Sequence, residues 1–319
     1  MPEQTRGLAT DSPVIDARGL VKRYGTLTAL DGPFFTVASG EIFGILGPNG
    51  AGKTTLVEIL EGLTPATEGT ASVLGIEVTQ HPQAVKTRIG VQLQASSYHQ
   101  YLTLREILEL FGSFYPRRAD PMALLRRVHL EDRADSRMRT LSGGMKQRFS
   151  IVAALVNDPE LVFFDEPTAG LDPDARHDLW EIVREVRASG ATVVLTTHYM
   201  EEAQALCDHV AFMNAGQMVA VDTPQGLIRR LNAPYRITLT TAQPLDDAGV
   251  RAIPGALEVM QERTADGCVV RVRAQSAPAV TTALTNLATQ GGVEVIDLAV
   301  QPGTLEDVFL AVTGRGLNG

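Results

Sequence analysis

The chain has 319 residues, and a prior of about 150 residues per domain predicts two domains. Lys plus Arg number 28 against 37 Asp plus Glu, and the net charge of −9 argues against the basic face with which a nucleic-acid binder neutralises phosphates. Apolar residues at 44% and charged residues at 20% describe a globular chain, not a disordered one.

Residues 1–13 are small and polar, are expected to be flexible, and contain no apolar core that could serve as a signal peptide. The longest apolar runs, 151–156 and 161–164, fall far short of the ~18–20 residues that span a bilayer. Cys207 and Cys268 are far apart without metal-ligand spacing, and read as buried free thiols. The expectation is a soluble, cytoplasmic protein that reaches a membrane only through a partner.

From Val14 to about Leu231 strand-like and helix-like patterns alternate, as in an α/β domain with a mainly parallel sheet and its active loops at the strands' carboxyl ends. The apolar stretch 41–46 ends in a glycine-rich loop followed by a helical pattern. Stretches 161–164 and 193–195 read as short buried strands. Between them Leu179, Trp180, Ile182, Val183 and Val186 line one helical face. Residues from about 95 to 157 lack clear strands, include helical patterns at 104–114 and 121–129, and read as a helical subdomain inserted into the core.

A break follows Leu231, Asn232, Ala233 and Pro234. Residues 232–319 contain no Lys, with six Arg against nine acidic residues. Tyr235, Ile237 and Leu239 alternate with polar neighbours, as do Val270 and Val272. Val280, Ala283, Leu284 and Leu287 give a helix, 293–300 a further strand, and Leu305, Val308, Phe309 and Val312 a last amphipathic helix. A small α+β accessory domain is predicted, with no catalytic signature.

Gly47, Pro48, Asn49, Gly50, Ala51, Gly52, Lys53 and Thr54 fit the phosphate-loop pattern, between an apolar strand and a helix. Glycines let successive N–H groups curl around a phosphate while the helix presents its positive end. Lys53 adds a charge for the β- and γ-phosphates, and the Thr54 hydroxyl can ligate Mg²⁺. Asp165 and Glu166 follow the strand 161–164; Asp165 suits the Mg²⁺ shell, and Glu166 suits polarising a water in line with the γ-phosphate.

Leu141, Ser142, Gly143 and Gly144 stand 22 residues before Glu166, counted from Gly144. With the phosphate loop, the Asp165–Glu166 pair and a later His198 in order, residues 14–231 resemble the nucleotide-binding subunits of ABC transporters. The resemblance implies a P-loop ABC ATPase core that binds ATP and Mg²⁺ and hydrolyses ATP. It implies that Tyr24 stacks on adenine, that Thr55 completes the phosphate site, and that His198 hydrogen-bonds the γ-phosphate. Gln94, with Gln92 as a rival, would reach Mg²⁺ and the attacking water. Residues 169–172, ending in Asp172, match the loop that crosses to an opposing subunit. Ser142, Gly143 and Gly144 would close on the ATP of a head-to-tail partner in a homodimer with two competent sites.

A single cassette without a coiled coil or basic tail is similar to the ATPase subunit of a transporter whose spans lie in another chain. The finer resemblance is to the daunorubicin-type drug-resistance exporters of the ABC-2 class. It rests on residues 141–148, on 196–203, and on the tail Gly303, Thr304, Leu305, Glu306, Asp307, Val308, Phe309 and Leu310. It implies an ABC-2-type permease as partner, no nucleic acid, and a peripheral place on the cytoplasmic face of the cell membrane. An importer ATPase with a regulatory C-terminal domain, and a soluble ABC ATPase acting on ribosomes or DNA, are the alternatives. Tyr98, Tyr101, Leu102 and Leu104 are expected to form an apolar rim receiving a short permease helix.

Overall fold

The computed structural model describes residues 12–92, 98–264 and 267–313. The chain divides into two compact units between Thr223 and Pro224.

The first unit opens with β1 (Ile15–Tyr24), β2 (Leu27–Asp31) and β3 (Phe34–Val37), then β4 (Ile42–Leu46) and α1 (Lys53–Leu60). There follow β5 (Glu68–Val73), β6 (Ile76–Glu77), α2 (Pro82–Lys86) and β7 (Ile89–Val91). Helices α3 (Leu104–Gly112), α4 (Pro121–Arg127) and α5 (Gly143–Ala153) form the helical subdomain. The core resumes with β8 (Leu161–Asp165), α6 (Pro173–Ala188), β9 (Thr192–Thr197), α7 (Met200–Leu206), β10 (His209–Asn214) and β11 (Gln217–Asp222).

These strands make two sheets. The larger has the order β11-β10-β4-β9-β8-β7, parallel except for β11. The residues of β4 and β9 are all buried, which is why both read as unbroken apolar or Thr-tipped runs and not as alternating strands. The second sheet, β2-β1-β5-β6 with β3 also on β1, is antiparallel. Phe35 of β3 stacks on Phe43 of β4 at 5.5 Å, joining the two sheets in one core.

α3 begins with a capping box in which Thr103 and Glu106 satisfy each other's backbone N–H groups. Its apolar stripe, Leu104, Ile107 and Leu108, is buried. Tyr98 is 2% exposed and packs on Phe111 and edge-on to Phe149, so Tyr98 and Leu104 belong to the subdomain core. This corrects the expected four-residue rim. Tyr101, 64% exposed with the Arg139 guanidinium over its ring, is its exposed aromatic.

The second unit begins with α8 (Pro224–Arg229) and continues through β12 (Tyr235–Thr241), α9 (Asp247–Arg251), β13 (Ala256–Thr264), β14 (Gly267–Ala274), α10 (Ala277–Gln290), β15 (Val295–Pro302) and α11 (Leu305–Thr313). The short helix α8 packs on α11, so the composition shift after Leu231 follows the structural division by one helix. Its sheet, β13-β14-β12-β15, is antiparallel throughout. Ile237, Leu239, Val270 and Val272 bury one face against Val280, Leu284 and Ala288 of α10. The sequence pattern missed β13, an edge strand with exposed Leu257 and Met260 among charged residues, because no face of it alternates cleanly. Cys207 and Cys268 are free and buried, as expected.

Candidate functional site

The phosphate loop leaves the buried strand β4 and turns into α1 through Gly50 and Gly52, at φ +80° and +99°. Gly52 is required twice over: its φ is left-handed, and a Cβ there would lie 2.5 Å from the Ala29 carbonyl oxygen. α1 has no acidic residue in its first turn, which leaves its positive end free to meet an anion. Lys53 is buried, and its Nζ donates to the carbonyls of Gly47 at 2.7 Å and Pro48 at 3.3 Å. Burial pulls its pKa below the usual lysine range, against the opposing pull of Glu166 and Asp165.

Both acids stand at the carboxyl end of β8. Thr196 of β9 donates its hydroxyl to Asp165 Oδ1, and its carbonyl and Oγ1 lie 3.1 Å from the Glu166 backbone N–H. Glu166 itself has φ +45°, a left-handed conformation that a non-glycine residue keeps only where its surroundings impose it. Its carboxylate lies 3.9 Å from Lys53 Nζ and 3.3 Å from His198 Nδ1. The tertiary structure therefore gathers Lys53, Asp165, Glu166 and His198, spread over 146 positions of sequence, around one loop.

Ser142 caps α5 by accepting from the Met145 N–H at 3.3 Å, and Asp172 caps α6 by accepting from Ala175 at 2.9 Å. Among the described residues no hydrogen bond or ion pair joins Ser142, Gly143, Gly144 or Asp172 to the Lys53–Glu166 cluster. Thr54 is exposed and Thr55 half-buried on the first turn of α1. Tyr24 ends β1 at 48% exposure, with Lys22 Nζ 5.0 Å from its ring centre.

A family model described as ABC transporter matches residues 30–169. The Nod factor export ATP-binding protein I of Ralstonia nicotianae is 36% identical, over 95% of each chain. The daunorubicin resistance ATP-binding protein DrrA2 of Streptomyces coeruleorubidus is 39% identical, over 96% of each. A dimeric post-hydrolysis ATP-binding cassette bound to ADP and Pi aligns with TM-score 0.60 at 25% identity, covering 66% of this chain and 98% of that one. The chain belongs to the ABC transporter ATPase family. It is an ATP-binding cassette and an ATP hydrolase.

Within the cassette, Gln94 lies outside the described residues. The side chain of its rival Gln92 is tied to α5, where Nε2 donates to Ser150 Oγ at 2.9 Å, and its backbone N–H donates to the Phe163 carbonyl. Thr196 is the residue that sequence reasoning passed over, although it holds both acids. Nothing local marks it out, because its strand, Thr192–Thr197, holds three threonines among its six residues.

Beside β7 a cavity of about 330 Å³ opens between the core and the helical subdomain, lined by Leu63, Val91, Tyr98, Phe111, Phe114 and one acid, Glu61. Burial, with added repulsion from Asp165 and Glu58, pushes the Glu61 carboxyl up to about 8. Among the described residues no helix is long and apolar enough to cross a membrane.

Proposed function

We propose that this cassette is the ATPase subunit of an export system, driving a separate ABC-2-type permease through ATP-dependent pairing and hydrolysis-dependent release of two copies. The observation that carries this reading is the convergence of Lys53, Asp165, Glu166 and His198 beside the phosphate loop. The names of its relatives, which concern export and drug resistance, support the direction.

In this reading residues 47–55 cradle the phosphates, with Lys53 exchanging its two backbone carbonyls for the β- and γ-oxygens. Tyr24 stacks on adenine. Glu166 accepts the proton of the attacking water, and His198, already 3.3 Å from it, orients the γ-phosphate. The hard oxygens of Thr54 and Asp165 suit Mg²⁺, and Gln94 would join them. When bound, the ion would offset charge on the β- and γ-oxygens.

The signature supports a second half-site. A Cβ at Gly143 would meet nothing within 4 Å, and at Gly144 only Leu171 Cδ2 at 3.9 Å. Internal packing therefore does not demand those glycines. They leave the N-terminus of α5 open to close backbone approach by an anion, here the γ-phosphate held by a partner's loop. Asp172, Ser142, Gly143 and Gly144 then act across the homodimer, and loss of the γ-phosphate loosens it. The apolar cavity beside β7 is the place that suits a short permease helix, which would hold the cassette on the cytoplasmic face of the membrane.

Glu166→Gln loaded with ATP tests the sandwich. Light scattering with nucleotide counting should find a dimer carrying two ATP. One trapped ATP per dimer would overturn the two-site homodimer, and an ATP-bound monomer would overturn pairing altogether. The same variant used as bait in mild detergent extracts should retain a polytopic membrane protein. Ribosomal or DNA-repair proteins without one would move the cassette to the soluble class.

A further inference from the structure

Behind the catalytic cluster lies a buried polar group that none of these roles uses. Glu202, the third residue of α7, is completely buried. Its Oε1 accepts from Trp180 Nε1 of α6 at 3.2 Å. The hydroxyls of Thr197 and Thr168 and the charge of Arg176 surround the same carboxyl. Burial pushes it above the usual carboxylate range, against the pull of those four neighbours. Glu202 Oε2 and Thr168 Oγ1 are both sealed from solvent without a well-formed hydrogen bond, an arrangement of high cost unless something is gained from it.

The partners say what is gained. Thr168 is two residues after Glu166, and Thr197 is one residue before His198. Trp180 and Arg176 stand on α6, whose N-cap is Asp172, and the Arg176 guanidinium lies 4.3 Å from the ring centre of Tyr199. One carboxyl thus touches the loop after β8, the end of β9 and the helix that follows. Glu166 holds a left-handed φ that only its surroundings can maintain.

We propose that Glu202 is a positioning residue for ATP hydrolysis, tying the Glu166 loop to the His198 segment so that the two side chains keep their 3.3 Å approach. This rests on the roles assigned above to Glu166 and His198. Glu202 does not touch the nucleotide, so its loss should act on turnover and spare binding.

The test uses the full chain, with phosphate release for turnover and a fluorescent ATP analogue for affinity. Glu202→Ala should lower kcat about tenfold, the scale of a small misplacement of a reacting group, with KM and analogue affinity unchanged. Glu202→Gln, which can still accept from Trp180 and donate to Thr168, should restore most of that turnover. Wild-type kcat in Glu202→Ala, or kcat and affinity falling together, overturns the proposal. If Glu202→Ala does not fold, Thr168→Val decides: it keeps the shape, and should lower kcat at constant affinity, whereas unchanged kcat sinks the idea. Glu166→Gln is run in parallel. If it turns over normally the catalytic reading itself has failed; if it is inactive while Glu202→Ala is not, only the positioning role has.

Discussion

The larger sheet of the first unit and the sheet of the second are built on opposite plans, and the difference explains where the chemistry sits. In the first unit the strands β4, β8 and β9 run parallel and are buried on both faces, so their carboxyl ends emerge side by side. The phosphate loop, the Asp165–Glu166 pair and His198 each follow one of those ends. In the second unit each strand is antiparallel to its neighbours in the sheet, so the carboxyl ends of adjacent strands lie on opposite edges. Among its described residues no such set of loops converges. A parallel sheet gathers residues distant in sequence at one edge, whereas an antiparallel sheet serves chiefly to bury one face.

Four variants test that contrast. Glu166→Gln should reduce turnover about 10³-fold while ATP still binds, as expected for loss of a general base. Retained multiple-turnover hydrolysis would remove Glu166 from that role. Lys53→Ala should instead abolish high-affinity ATP binding; calorimetry giving a wild-type Kd would contradict its place in the loop.

Glu61→Gln probes the acid beneath the cavity. The folded protein holds the Glu61 proton up to about pH 8, well beyond the unfolded chain. Stability relative to Glu61→Gln should therefore fall as pH rises from the ordinary carboxylate range through about 8, and level off above it. Melting curves from pH 5 to 9 that stay parallel would exclude this. The difference at pH 9 should be on the order of 1–3 kcal/mol in favour of Glu61→Gln.

The smallest effect is expected in the second unit. Asp307 is 8% exposed and takes charged hydrogen bonds from Arg236 and Arg273. Burial raises its carboxyl, but Thr304, Arg273 and Arg236 together outweigh that and hold it below the usual range. Its stabilisation is present above the ordinary carboxylate range and lost as pH falls through the lowered value. Asp307→Ala should destabilise this unit by about 1–2 kcal/mol at neutral pH, because both arginines keep access to solvent. The gap should close in acid. A fall in the intrinsic kcat of folded Asp307→Ala would show that the second unit takes part in turnover.

Recovery of the site from the chain was uneven for physical reasons. The phosphate loop, Ser142 to Gly144 and the Asp165–Glu166 pair are contiguous, so backbone freedom, charge and spacing can be read together. Tyr98 and Leu104 look like a surface rim in sequence, yet Phe111 and Phe149 cover Tyr98, and α3 turns Leu104 inward. Thr196 and Glu202 carry no local mark. A hydroxyl beside a strand end and an acid on a helix become informative only when β8, β9, α6 and α7 are packed.

Order along the chain was enough to decide that a nucleotide is bound, by which loop, and with which acid pair, because each of those properties belongs to a few neighbouring residues. Folding alone decided which distant side chains meet: Lys53 with Glu166, Glu166 with His198, Thr196 with both acids, and Glu202 with the segments that carry them. Those contacts depend on strand order and on which face each helix buries, and both are set by how the whole core packs.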